Sequence, residues 1–173
     1  MLSVLLDGRV AGNVYRLAGG RLRFIYDDRW RLDPEAYPVS WSMPLAAAEH
    51  DHDRIHAYLW GLLPDNQRTL DAYARRFNVS ARSPVDLLAH MGADCAGAIQ
   101  LVPPDSVSQF LGAPPARPLV QWLSEREVAT ELREVRTSGI SGGAAGAMGQ
   151  FSLAGTQPKL ALLEANGSMT KPL

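Results

Sequence analysis

The chain has 173 residues, of which 46% are hydrophobic and 20% are charged, and its formal net charge is −1. This composition is typical of a globular protein with one domain or two small ones, and the charge balance argues against bulk attraction to nucleic acid. Cys95 is the only cysteine, which excludes an internal disulfide and indicates a reducing compartment. Because no apolar run is long enough to cross a bilayer, the sequence predicts a cytoplasmic protein.

The first part of the chain is predicted to be a β-meander. Residues 2–6 and 10–17 have strand character and flank Asp7-Gly8, a dipeptide typical of two-residue hairpins. Apolar and polar residues alternate in residues 21–26, which predicts a third strand. Residues 39–43 also alternate apolar and polar side chains, which predicts a fourth strand.

Helices are expected to follow this meander. Residues 53–62 should form a short helix with Asp53 as its N-cap. Residues 67–77 are amphipathic, which predicts a second helix. Residues 85–91 are predicted to form a third helix, since a proline precedes them and a glycine follows them. Residues 96–102 are apolar and end before two prolines, so they are predicted to form a strand.

The second half of the chain begins with a predicted linker, because residues 105–121 contain three prolines. Ser124 and Glu127 have the spacing of a capping box, which predicts a helix as far as about residue 135. Residues 137–149 are rich in glycine, serine and alanine, and we expect them to form a mobile loop.

The next run, residues 150–163, has the layout of a phosphate-binding turn. Small residues at 152–157 form the turn between two predicted strands, residues 150–153 and 159–163, and Lys159 begins the second strand. Backbone amides in such a turn can approach anionic oxygens, and a lysine adds a cation. The run is not a Walker A loop, because Gly-Lys-Ser/Thr is missing, and a strand–turn–strand with one glycine is also common in β-rich proteins without this function.

Three other features are candidates for different chemistry. Residues 139–143 match the Gly-x-Ser-x-Gly elbow of esterases, but no histidine follows His90, so the usual chain order Ser…Asp…His cannot be met. His52 and His56 lie four residues apart on a predicted helix and could hold zinc, or could simply belong to a solvated helix start. Cys95 is interpreted as a small buried residue, since its acidic neighbour would raise the pKa of a thiol.

Acidic residues are scarce near the phosphate-binding turn. No aspartate follows Asp105, and Glu164 is the only acidic residue after the turn. Phosphoryl transfer in kinases needs one acidic group to orient the hydroxyl and another to hold Mg²⁺. We therefore expect no turnover of ATP by this chain alone.

Three blocks of the sequence resemble the HipA-like serine/threonine kinases, which are the toxin subunits of bacterial type II toxin–antitoxin pairs linked to persistence. Residues 59–66 are similar to the family's Leu-Leu-Pro-(Asp/Glu) segment, and residues 87–100 to its Gly-x-Asp-Cys-x-Gly-Ala block. Residues 151–160 are similar to its phosphate-binding loop. The blocks have the order and spacing that the family has.

The resemblance implies an α+β fold with three parts. Residues 1–104 would form the N-terminal subdomain, a β-meander or small barrel-like unit with short helices. Residues 105–149 would form a linker with one helix and the mobile loop. Residues 150–173 would be the first strands of a protein-kinase-like N-lobe, interpreted as truncated because family members are more than twice as long.

The resemblance also assigns roles within the loop. Ser152 matches the serine that the family autophosphorylates, and the cofactors implied are ATP and Mg²⁺. The nucleotide phosphates would be contacted by Ala154, Gly155, Thr156, Gln157 and Lys159. Position 158 is proline where some members carry glutamate, and proline removes one amide donor. No catalytic residue and no metal ligand of the family has a counterpart in the chain.

The implied activity is ATP-dependent phosphorylation of a translation component of the aminoacyl-tRNA synthetase type. The implied partner is a HipB-like DNA-binding antitoxin held by the N-terminal subdomain, without direct contact to nucleic acid or membrane. The alternative is a non-catalytic regulatory or antitoxin-like module, because some systems of this family encode the N-terminal subdomain separately. Such modules usually end near Pro103-Pro104, so the retained loop favours the N-terminal part of a kinase.

Overall fold

The computed structural model describes residues 1–95, 97–112, 120–138, 162–165 and 167–172. It confirms an α+β fold built on antiparallel sheets. The first sheet has the strand order β4-β3-β2-β1-β5. Its strands are β1 (Leu2–Leu6), β2 (Arg9–Arg16), β3 (Leu22–Tyr26), β4 (Glu49–His50) and β5 (Ile99–Val102).

The predicted hairpin between β1 and β2 is confirmed. Asp7 and Gly8 both have positive φ, at 49° and 69°, as the two central residues of a tight hairpin turn require. A Cβ atom on Gly8 would overlap the carbonyl of Gly112, whose amide donates to the Gly8 carbonyl at 2.9 Å. Glycine is therefore needed at position 8 both for its φ and for the close approach.

Four helices accompany this sheet: α1 (Asp28–Arg31), α2 (His52–Gly61), α3 (Gln67–Phe77) and α4 (Pro84–Met91). The bounds predicted for α3 are confirmed. The N-cap of α2 is Asp51, so the prediction of Asp53 is wrong. Asp51 has an extended backbone and its carboxylate accepts from the amide of Arg54 at 3.3 Å, whereas Asp53 lies inside the first turn.

The fourth strand predicted for residues 39–43 is also wrong. Ser40 and Met43 close a turn through a hydrogen bond from the Met43 amide to the Ser40 carbonyl at 2.9 Å. Ser40 Oγ accepts from the Ser42 amide at 3.3 Å. Serine side chains thus bond locally to the backbone and favour a turn over a ladder.

The first sheet and helices α1–α4, called the first unit below, enclose a hydrophobic cluster whose described members lie between Leu2 and Leu101. All five residues of β1 are buried. Leu2, Val4 and Leu6 belong to this cluster, and Ser3 and Leu5 alternate with them along the strand, so both faces of β1 are covered. Helices α2 and α4 add side chains that are fully excluded from solvent, among them Leu59 and Leu87. Burial of this kind contributes about 25 cal/mol per Å² of apolar area, so the core is the main source of stability.

A second, three-stranded antiparallel sheet has the order β6-β8-β7. Its elements are β6 (Val120–Leu123), β7 (Leu163–Ala165) and β8 (Ser168–Pro172), with α5 (Glu125–Ser138) after β6. The predicted capping box is confirmed, because Ser124 Oγ accepts from the Glu127 amide at 3.4 Å and Glu127 Oε2 accepts from the Ser124 amide at 2.8 Å.

The stretch between the two sheets is only partly irregular. Residues Pro104–Gln109 form a 3₁₀ helix, and Gly112 is bonded to Gly8 as described above. Helix α5 runs on through Thr137 and Ser138. The three-part division at residues 104 and 149 remains a prediction. No helix among the described residues has the length and apolar character that crossing a membrane requires.

Candidate functional site

The predicted phosphate-binding turn lies outside the described residues, as does the strand predicted for residues 150–153. This applies to every residue assigned to nucleotide contact or modification: Ser152, Ala154, Gly155, Thr156, Gln157 and Lys159. The esterase-like pattern at residues 139–143 also lies outside them. The structure does describe β7 and β8, the hairpin that follows the turn in the chain. The roles of the loop residues stay predictions.

The first family-like block, residues 59–66, has a role in folding. Leu59 and Leu63 are buried at 0% and 1% exposure, and the block joins α2 to α3. Asn66 is the N-cap of α3, where its Oδ1 accepts from the Arg68 amide at 2.9 Å. These residues build the core and fix a helix start.

The second block, residues 87–100, joins α4 to β5 through a close backbone approach. A Cβ atom on Gly92 would lie 2.6 Å from the Leu101 carbonyl oxygen and 2.8 Å from the Leu101 Cβ. Only glycine allows this approach without displacement of β5. The block is therefore constrained by packing at Gly92, whatever its chemistry.

An open cleft of about 460 Å³ lies where this block meets the β1–β2 turn. Its lining includes Asp94, Cys95, Gln100 and Phe110. Burial raises the pKa of the Asp94 carboxyl. Burial and the nearby Asp94 together raise the pKa of the Cys95 thiol to about 12. Cys95 is itself buried, which confirms the prediction of a small buried residue.

A second acidic side chain at this cleft, Asp7, is already engaged. Tyr37 Oη donates to Asp7 Oδ2 at 2.6 Å, and this hydrogen bond is the main reason why the pKa of Tyr37 is raised to about 12. Since Asp7 also occupies a left-handed turn position, its place in the cleft is explained by local structure.

The histidine pair does not have the geometry of a zinc site. His52 Nδ1 accepts from the Leu22 amide at 3.0 Å, and His56 Nε2 accepts from Trp60 Nε1–H at 3.1 Å. A neutral imidazole has one acceptor nitrogen, so each ring has used the lone pair that a metal would need. Within the described ranges, no cluster of three or more potential ligands occurs.

A smaller cleft of about 320 Å³ borders these histidines and contains a charged clamp. The Arg16 guanidinium on β2 donates to Ser83 Oγ at 3.1 Å and to Asp86 Oδ1 at 2.6 Å. Burial alone would raise the pKa of Asp86, but hydrogen bonds from Ser83 and Arg16 outweigh it and lower that pKa. The clamp holds the start of α4 against β2.

Sequence reasoning missed the most exposed large apolar side chain among the described residues. Trp41 is 95% exposed at the tip of the Ser40–Met43 turn. Both ends of that turn are bonded to Tyr26, whose hydroxyl accepts from the Val39 amide at 2.9 Å and donates to the Met43 carbonyl at 2.5 Å. An available signal was the bracketing of the turn by Pro38 and Pro44, which disfavours a ladder strand.

Comparison with known proteins gives consistent matches. A protein-family model described as the HipA N-terminal domain matches residues 2–102. The protein named "Putative kinase Y4mE" from Sinorhizobium fredii (strain NBRC 101917 / NGR234) is 30% identical over all 173 residues. Those residues correspond to 40% of that protein.

A solved structure has the same fold. It is a chain of the Shewanella oneidensis MR-1 complex of HipA, HipB and operator DNA, with a TM-score of 0.68 and 24% identity. The superposition covers 98% of this chain and 37% of that one. The chain therefore spans well under half the length of both relatives. Because the family model covers more than half of the chain, the protein belongs to the HipA family and carries the HipA N-terminal domain at residues 2–102.

Proposed function

We propose that the chain is the N-terminal part of a HipA-like serine/threonine protein kinase toxin that acts in the cytoplasm. The observation that carries this proposal is the match of the HipA N-terminal domain to residues 2–102, together with a kinase-named relative that aligns over the whole chain. The protein substrate would be a translation component of the aminoacyl-tRNA synthetase type.

Within that activity, this chain would bind the nucleotide. Backbone amides of residues 154–157 and the ammonium of Lys159 would bind the phosphates of ATP. Mg²⁺ and the acidic groups that phosphoryl transfer needs would have to come from the part of the protein outside this chain, since Glu164 is the only acidic residue after the turn. The chain alone should then have no kinase activity.

The experiment uses the full-length protein with radiolabelled ATP and Mg²⁺. Lys159→Ala should lower kcat/KM by roughly 100-fold, as expected when one fixed charge on the transferring phosphate is lost. Lys171→Ala is the matched control, because Lys171 is the only other lysine of the chain and lies on β8. Equal loss in both variants, or no loss in either, would contradict the nucleotide role.

Ser152 would be the autophosphorylation site in the full-length protein. A phosphate there carries roughly −1.5 to −2 charges at neutral pH, and repulsion from the phosphates of ATP would expel the turn. Ser152→Ala should abolish the modification, while Ser152→Asp should inactivate only partly. Mass spectrometry reads the site, and phosphate on Ser138 or Ser141 with Ser152 unmodified would refute the assignment.

The proposed partner is a HipB-like DNA-binding antitoxin that the N-terminal domain contacts. The structural relative comes from a complex of HipA, HipB and operator DNA, which supports a partner of this class. The net charge of −1 argues that any DNA contact is made by the partner. Co-purification of the full-length protein with a co-expressed HipB-like protein tests the assignment.

A second function, that of a non-catalytic regulatory module, is favoured by one observation. Among the described residues, the hydrophobic cluster of the first unit is built from side chains between Leu2 and Leu101. Such a unit could act as a separate inhibitor of a kinase partner. Co-expression of this 173-residue chain with a toxic full-length kinase distinguishes the two, because only an inhibitory module should restore growth.

A further inference from the structure

The smaller cleft, where β2, α2 and α4 meet, presents mainly hydrogen-bond donors. Its volume of about 320 Å³ lies at the lower end of the range for small-molecule sites. Among the described residues that line it, Asp86 alone is acidic, and two arginines outweigh its charge. The donors belong to the side chains of Arg16, Arg82, His52 and His56.

The contacts of the two imidazoles determine which ring nitrogens carry protons. His52 Nδ1 accepts from the Leu22 amide at 3.0 Å, and His56 Nε2 accepts from Trp60 Nε1–H at 3.1 Å. In the neutral rings the protons are therefore on His52 Nε2 and His56 Nδ1, which can only donate. Neither of these two N–H groups has an acceptor among the described residues. The ring centroids lie 4.9 Å apart, which is close enough for one small ligand to lie beside both rings.

The two arginines add charge and further donors. Arg16 donates to Ser83 Oγ and to Asp86 Oδ1 through one nitrogen, Nη2, so its Nε and Nη1 groups have no acceptor in the described part of the chain. The ion pair with Asp86 holds the Arg16 side chain in place. Within the described ranges, the Arg82 guanidinium has no acidic partner. Guanidinium groups bind phosphate through paired N–H donors.

The charge and the donor groups together select the class of ligand. A metal cation does not fit, because the imidazole lone pairs are occupied and the excess charge is positive. A nucleic-acid strand would require a longer row of cations than two arginines. A single phosphate group fits, since it carries roughly −1.5 to −2 charges at neutral pH and offers three strong acceptor oxygens.

We infer that the smaller cleft binds a phosphate group, either as inorganic phosphate or as part of a small monoester. Arg82 supplies one cation and Arg16, oriented by Asp86, supplies the second. His52 Nε2–H and His56 Nδ1–H donate to the phosphate oxygens. None of these residues belongs to the predicted nucleotide loop, so the site is independent of the proposed function.

The test is equilibrium dialysis of radiolabelled inorganic phosphate against the full-length protein at constant chloride. A non-hydrolysable ATP analogue is present to occupy the predicted nucleotide loop. One phosphate per chain should bind with a Kd below about 1 mM. Arg82→Gln should raise the Kd at least about 10-fold, because a charged donor is lost. Arg29→Gln is the matched control, since Arg29 is an exposed arginine outside the cleft and should change the Kd by less than about twofold.

His52→Asn separates a role in binding from a role in packing. The asparagine Oδ1 can still accept from the Leu22 amide, whereas the donor at Nε2 is lost. The Kd should rise about fivefold, as expected when one neutral hydrogen bond is removed, with little change in the melting temperature. An unchanged Kd would show that the ring only holds Leu22 in place, and this result would overturn the inference.

A competitor distinguishes the two sources of the phosphate group. If glycerol 3-phosphate displaces the label, the cleft accepts a monoester, and if it does not, inorganic phosphate is the ligand; both results support the site. Equal losses in Arg82→Gln and Arg29→Gln, or no binding by the full-length protein, would overturn it. Binding by the 173-residue chain that the full-length protein lacks would mean that another part of the protein covers the cleft, which also overturns the inference.

Discussion

The two sheets differ in how far their apolar side chains are buried. In the first sheet every residue of β1 is buried, and the hydrophobic cluster around it closes between Leu2 and Leu101. In the second sheet Trp122 and Leu163 pair with the buried Thr170 in one row across three strands, yet they are 54% and 55% exposed. We therefore expect the first unit to supply most of the stability of the chain.

The part of the chain that is expected to stabilise the fold differs from the part that is expected to bind the nucleotide. The family match covers residues 2–102, which is the part with the closed core. In the chain, the predicted nucleotide loop comes just before β7 of the second sheet. There the apolar side chains of Trp122 and Leu163 are about half exposed to solvent. The kinase activity proposed above would therefore depend on parts of the protein other than the unit with the large core.

The strongest test of this comparison is a matched pair of leucine truncations. Leu59→Ala in α2 should lower the free energy of unfolding by roughly 2–5 kcal/mol, because Leu59 is 0% exposed and its removal leaves a cavity. Leu132→Ala in α5 should change it by less than about 0.5 kcal/mol, since Leu132 is 51% exposed. Urea titration measures both, and equal effects would remove the distinction between the two regions.

A pair of glycine substitutions tests the tightness of the first core. Gly92→Ala should destabilise by roughly 1–3 kcal/mol, because the new Cβ would meet Leu101 backbone at 2.6 Å. Gly61→Ala at the end of α2 is the control: no atom lies within 4 Å of its Cβ position, so the change should be neutral or stabilise by up to about 1 kcal/mol. A harmless Gly92→Ala would mean that β5 is loosely held.

Helix caps provide a third comparison. Asp51→Ala should cost about 1 kcal/mol of unfolding free energy, because its carboxylate caps α2. Asp53→Ala removes the same charge without removing the cap and should cost less. Ser124→Ala should lower the helical signal of α5 in circular dichroism. The midpoint of the main unfolding transition should stay unchanged. A larger loss for Asp53 than for Asp51 would contradict the cap assignment.

The smallest expected effect is a dependence on pH in the first unit. Burial lowers the pKa of His50, and the charge of Arg54 lowers it further, although the carbonyl of Pro44 opposes this. The neutral ring therefore contributes stability that is fully present above the ordinary pKa of about 6.5 and is lost as the pH falls through the lowered value.

His50→Leu removes that contribution, so its unfolding free energy should fall less between about pH 7.5 and about pH 5 than that of the unmodified chain. Asp94 titrates in both proteins and cancels in the difference. Identical pH profiles would show that His50 does not bind protons differently in the folded and unfolded states.

Local chemistry decided how much of the fold could be predicted. Asp7-Gly8 and the segment Gln67–Phe77 were predicted well, because positive φ and helical periodicity depend on residues close in the chain. Residues 39–43 satisfied the alternation rule as well as a strand does. The local hydrogen bond to Ser40 Oγ favours the turn, and the hydroxyl of Tyr26, thirteen and seventeen residues away in the chain, holds it in place.

The candidate sites, too, could be predicted only where the signal comes from residues close in the chain. The burial of Cys95 was predicted from its acidic neighbour and its residue type, and it is confirmed. The zinc alternative at His52 and His56 had correct helical spacing, but spacing does not reveal that Leu22 and Trp60 donate to the rings. Pro38 and Pro44 signal a turn around Trp41, but the exposure of its side chain depends on where the fold places that turn.

Hydrogen exchange of the 173-residue chain tests the central claim most directly, because it reads both sheets in one experiment. The account predicts that amides of β1 and β5 exchange only through global unfolding, at least ~100-fold more slowly than those of β6 and β8, which open locally. Equal protection of the two sheets would contradict the claim that the first unit alone carries the stability of the chain.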